Sequence, residues 1–173
     1  MRKVLTAFAI LLIFVLFSVF VEAVDKDAVA AKIKKIASYL DKPEGPDSDG
    51  VLMFTLLLEA ILETAPDTIF PPEFTEYMKK AKDISDSESF LSPDGVVYLH
   101  KARRLINDGE DFTMPDAISQ IQDAVNYARI ELGWARKYTD LGQNEDCIRK
   151  LLDVAVMIVT PMHRKIQEGA QNP

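Results

Sequence analysis

From residue 25 onward, apolar positions recur every three to four residues, which is the period of an α-helix buried on one side. Between Asp25 and Leu40 the row is Val29, Ile33, Ile36 and Leu40, with Lys32, Lys34 and Lys35 on the other faces. Pro43, Gly45, Pro46 and Gly50 interrupt the pattern from Asp41 to Gly50. Val51 to Thr64 is apolar nearly all round, with Thr55, Glu59 and Glu63 as its only polar line. A helix of this kind is expected at the centre of a core. Pro66 ends it, and an extended stretch through Ile69, Phe70, Pro71 and Pro72 follows.

Glu73 to Ile84 predicts a short amphipathic helix with Phe74, Tyr77, Met78, Ala81 and Ile84 on one side, and Ser85 to Ser89 reads as a polar linker. Ser92, Pro93 and Asp94 form a helix start, with a capping residue type, a first-turn proline and an acid near the positive end. That helix is expected to run to about Asp108 and stop at Gly109. Thr113 and Asp116 stand at capping-box spacing before a long seam of Ile118, Ile121, Val125, Ala128, Leu132 and Ala135. Ala117, Ala124, Tyr127, Trp134 and Tyr138 widen it, and Gly142 closes it. Asn144 to Asp146 start the last helix, whose face is Ile148, Leu151, Leu152, Ala155, Ile158, Val159, Met162 and Ile166. Val154, Val156 and Met157 cover much of its other side, and Pro161 predicts a kink between Met157 and Thr160. No strand-like alternation occurs, so the fold class is all-α, a bundle of five to six helices. The long helix and the last one should pair antiparallel across Leu141, Gly142 and Gln143.

The first 23 residues break with this periodicity. Arg2 and Lys3 precede a charge-free run over residues 4–21, and Val21 and Ala23 stand three and one residues before an expected cut. That is the layout of a secretory signal peptide. Residues 24–168 are then the bundle domain and 169–173 a frayed tail. The expected location is exported, periplasmic or secreted. The alternative is an uncleaved anchor over residues 4–21, at the lower length limit for a membrane span, and membrane contact is expected only through that segment.

Cutting after Ala23 leaves 18 basic and 26 acidic residues, a net charge of −8. Such a surface repels a phosphate backbone, so nucleic acid is not an expected partner. Cys147 is the only cysteine, so no disulfide forms within the chain and packing must hold the fold.

Candidate chemistry is sparse. His100 and His163 are the only histidines, and neither has a second ligand at helical metal-site spacing. Met162 adjoins His163 but points about 100 degrees away, so a haem-like iron could not take both from one regular helix. Glu59 and Glu63, four apart on the most apolar helix, read as partly buried acid/base groups or as the solvent strip of that helix, and Glu59 is the one expected nearest the core. Cys147 lies in the first turn of the last helix, where the dipole favours a thiolate and Glu145 and Asp146 oppose it. It reads as a partly buried free thiol or as half of an intermolecular disulfide. The acidic stretches 47–50 and 107–111 both fail the calcium-loop template.

The expected function is therefore binding without catalysis, with no cofactor and no metal. The partner is an envelope or secreted protein, a second copy, or an apolar small molecule. One alternative is a carrier or sensor with an apolar or haem-like ligand between the second and last helices, where Phe54, Phe74, Tyr77, Phe90, Phe112, Trp134 and Tyr138 are candidate lining. The other is a metal-dependent enzyme built from Glu59, Glu63 and a histidine.

Overall fold

The computed structural model describes residues 24–41, 48–88, 92–110 and 121–171, and the expected signal segment, Phe90 and Phe112 lie outside them. Among the described residues there are six α-helices and no strand. They are α1 (Lys26–Leu40), α2 (Ser48–Thr64), α3 (Pro72–Ser87), α4 (Pro93–Ile106), α5 (Ile121–Leu141) and α6 (Asn144–Gln171).

Local chemistry sets most of the boundaries. The Asp25 carboxylate accepts from the amides of Asp27 at 3.1 Å and Ala28 at 3.0 Å, satisfying donors that the first turn of α1 leaves free. Helix α2 starts at Ser48, one turn before the apolar run, because Gly50 costs least where helical hydrogen bonding has barely begun. After Thr64 the chain tightens into a 3-10 turn, Ala65–Asp67, around Pro66. Helix α3 runs past Ile84 to Ser87, so the expected linker is partly helix. Ser85 extends the buried row Phe74, Met78 and Ala81 by one more turn, and the pair Lys82–Asp86 bridges the same turn outside at 2.6 Å.

Two expected caps behave differently. The Ser92 hydroxyl donates to Glu88 Oε2 at 2.9 Å and leaves the start of α4 without a side-chain cap. Helix α4 stops at Ile106 rather than Asp108, because Asp108 and Gly109 adopt φ of 52° and 83°. Arg149, from α6, donates to the Ile106 carbonyl and to Asn107 Oδ1, which satisfies acceptors at that end. Gly142 makes the expected turn between α5 and α6, with a left-handed φ of 71°. The expected start of α5 at Thr113 lies outside the described residues. Helix α6 is one element from Asn144 through Pro161 to Gln171, so 169–171 are helical. Below the proline, the Thr160 hydroxyl donates back to the Val156 carbonyl at 2.7 Å.

The helices pack as a ring in the order α1, α2, α3, α4, α6, α5 and back to α1, with α2 and α6 also touching across its middle. The two helices that are apolar all round are therefore the central pair. Six consecutive residues of α6, Val154 to Val159, are each no more than 4% exposed, which only a helix covered on every side achieves. They join Phe54, Leu57, Leu58 and Ile61 of α2 and Phe74 and Met78 of α3 in one contiguous core or against its edge. Side-chain ion pairs bridge neighbours around the ring: Lys32–Glu63 between α1 and α2, Arg103–Asp153 at 2.8 Å between α4 and α6, and Lys150–Glu131 at 2.6 Å between α6 and α5. Each is partly exposed, so their role is register more than net stability.

Candidate functional site

The ring explains where each candidate from the sequence falls. Glu59 and Glu63 lie on the outer strip of α2, against α1. Lys32 bonds Glu63 Oε1 and stands 4.0 Å from Glu59 Oε2. With 35% and 43% of their side chains exposed, they are the solvent strip of α2 and partners of a lysine, Glu59 lying the deeper of the two without reaching the core. The all-round apolar reading of α2 holds, and this strip is its gap.

His100, on α4, sits half-buried with Nε2 3.5 Å from the Thr160 hydroxyl of α6. The side chain of His163 is outside what the structure describes. Among the described residues no three histidine, cysteine, aspartate or glutamate side chains gather as a metal site would require. The acids of α2 and His100 do not gather into such a group.

Cys147 is fully buried, and its sulfur lies 3.2 Å from the Thr139 hydroxyl of α5. Burial pushes the thiol above its ordinary value, and the Thr139 hydrogen bond pulls the other way without cancelling that. The first-turn position is as expected, and removal from water, which raises the thiol, keeps the group neutral. A sulfur with no exposed surface cannot reach another chain, which removes the intermolecular disulfide for the folded protein.

The aromatic residues offered as cavity lining are dispersed. Phe54 and Phe74 are core, Tyr77 pairs with Tyr98 across α3 and α4 at 6.0 Å, and Trp134 and Tyr138 lie on α5. Where the carrier alternative would put a ligand cavity between α2 and α6, residues such as Leu57, Leu58, Leu151 and Leu152 are fully buried in the shared core.

Among the described residues, large apolar side chains left in water occur on α2 (Val51, Leu52), in the loop at Ile69 and on α4 (Val97, Leu105), and three of them share α5. Ile130, Trp134 and Leu141 of α5 are 56%, 43% and 61% exposed. With half-buried Tyr127 and Tyr138 they occupy positions 127, 130, 134, 138 and 141. Steps of three, four, four and three place them on one stripe of the helix. Trp134 and Tyr138 stack with ring centres 6.2 Å apart, and the Lys137 ammonium sits 4.7 Å from the indole centre. The buried seam of α5 runs along another face through Ala124, Ala128, Leu132, Ala135 and Thr139. Trp134 therefore does not widen that seam as expected. Spacing alone held the signal for this second stripe, and Ile130 and Leu141 were the residues that sequence reasoning passed over.

No known family model matches this chain, and no curated protein or solved structure is significantly similar to it. The described residues define an all-α ring of six helices with an apolar stripe on α5.

Proposed function

We propose that this is an exported, non-catalytic interaction protein, and that its α5 stripe pairs with the same stripe of a second copy. The carrying observation is the exposure of Ile130, Trp134 and Leu141 on one face of one helix. The stripe is symmetric about Trp134, with apolar residues four and seven positions to either side. Two copies related by a two-fold axis at Trp134 therefore place Ile130 opposite Tyr138 and Tyr127 opposite Leu141. An isologous contact requires this self-complementarity. Tryptophan and tyrosine also dominate the binding energy of protein interfaces. At 21 residues, α5 is about 30 Å long, enough for a contact at the lower end of specific interfaces. Export rests on the signal-like run before Val24.

Trp134 is the only tryptophan, so its emission reports this face alone. The test is sedimentation equilibrium with parallel fluorescence on protein recovered from the exported fraction. A dimer that forms with rising concentration, with emission shifting to the blue as it forms, is the expected result. A monomer with constant emission up to about 100 µM would overturn the pairing, since weaker contacts have little specificity. The intact mass of the same sample tests export, with a chain starting at Val24 expected and one starting at Met1 against signal cleavage.

A further inference from the structure

Helices α1 and α5 are ring neighbours in direct contact, and an open groove runs along the outer side of that contact. This groove, of about 390 Å3, lies between Ile33, Lys34, Ala37 and Asp41 on one wall and Arg129, Leu132, Gly133 and Arg136 on the other. It stays open because Ala37 and Gly133 bring almost no side chain to fill it. A Cβ built on Gly133 would meet no atom within 4 Å. Ile33 and Leu132 are buried and belong to the core, so the floor is apolar and firmly backed.

The lining carries three cations and one carboxylate, the reverse of the balance of the whole chain. They are not equally available. Arg129 is committed to the end of α1, where Nη2 donates to the Leu40 carbonyl at 2.5 Å and Nε lies 3.1 Å from Asp41 Oδ1. Arg136 meets Asp140 at 3.2 Å on the outer surface, with nearly half of its side chain in water. Lys34 is exposed and makes no hydrogen bond or ion pair with another described residue. An apolar floor with two accessible cations at its rim is complementary to a chain that is apolar along its length and negative at one end. The volume falls within the range of small-molecule sites, about 300 to 1,000 Å3.

We propose that the groove binds a single-chain amphiphile with a carboxylate head. The alkyl chain lies along Ile33, Ala37, Leu132 and Gly133, and the head lies between Lys34 and Arg136. A planar carboxylate suits the guanidinium fork, which can exchange Asp140 for the ligand. The site is separate from the Trp134 stripe and does not depend on dimer formation.

Isothermal titration with dodecanoate, below its micellar concentration, tests this on the mature protein. Saturable binding of one molecule per chain is expected. Dodecyltrimethylammonium, with the same tail and the opposite charge, should bind at least about tenfold more weakly because it meets two cations. Gly133→Leu puts a side chain into the open space and should weaken dodecanoate at least about tenfold. Lys34→Glu changes an exposed residue that the fold does not use and should weaken it about threefold or more. Ile130→Glu, which alters the stripe, should leave dodecanoate affinity unchanged. Any of four results would overturn the proposal: no saturation by dodecanoate, equal binding of the cationic amphiphile, Lys34→Glu and Gly133→Leu proteins that bind as well as the wild type, or loss of binding in Ile130→Glu.

Discussion

Ile130→Glu is the sharpest perturbation of the α5 stripe. The side chain is 56% exposed, so the monomer has little to lose from the change, and its stability should move by no more than about 0.5 kcal/mol. The dimer has much more to lose. Complete burial of an isoleucine is worth about 2.5 kcal/mol, so covering the exposed 56% yields about 1.4 kcal/mol per copy and about 2.8 kcal/mol for the symmetric pair. That alone weakens association roughly a hundredfold. In the proposed pair the new carboxylate would also give up water against the partner's apolar stripe, so the loss grows further. The variant keeps Trp134 as the reporter. Sedimentation equilibrium should give a monomer where the wild type is dimeric, and the emission should stay at the monomer wavelength. A thermal melt by circular dichroism checks that the fold is kept. If wild type and variant share one association curve, the contact lies elsewhere on the molecule and the symmetry of the stripe about Trp134 has no bearing on it.

Three further outcomes follow from the packing. Cys147 should resist alkylation in the native protein and react fully once denatured. Because its thiol value is raised by folding, its stabilising contribution is present below the ordinary value of 9.0 and falls as pH rises beyond it; the slope of stability against pH above 9 should be steeper for wild type than for Cys147→Ala. Gly133→Ala removes a flexible residue from an open helical position, so it should raise stability by about 0.5 to 1 kcal/mol, read as a melting point a few degrees higher. Glu63→Gln breaks an exposed pair with Lys32 and should cost no more than about 0.5 kcal/mol by denaturant titration.

The fold class could be read from the sequence because each helix carries its own short-range signal. Asp25 caps α1, Gly142 turns α5 into α6, and the excess of apolar residues in α2 and α6 marks the central pair. Boundaries slipped where a polar residue took a buried place, as Ser85 does in α3. They also slipped where a distant residue finished the helix, as Arg149 does for α4. The environment of Cys147 needed the same distant information: its first-turn position is local, while the burial that raises its thiol comes from neighbours in the ring. The groove was beyond reach for this reason too. Its walls are nearly a hundred residues apart, and nothing near Gly133 says that Ile33 and Ala37 will lie across from it.

The α5 stripe is a different case, since the pattern was present but two faces competed for it. Five positions at helical spacing run through Trp134, and five more run through Leu132. Size should have placed the first set inward, because a buried tryptophan or isoleucine contributes far more than a buried alanine. The structure does the opposite. Ala124, Ala128 and Ala135 face the core, while Ile130, Trp134 and Leu141 face water. Alanines bring α5 close to α6, and this leaves no room for larger side chains on that side. A helix selected for the stability of the monomer alone would place its large residues on the inside and its small ones on the outside. With the order reversed, α5 gives up core energy to hold a large apolar surface in water. Covering that surface would recover the loss, which is the physical argument for the proposed pairing through α5.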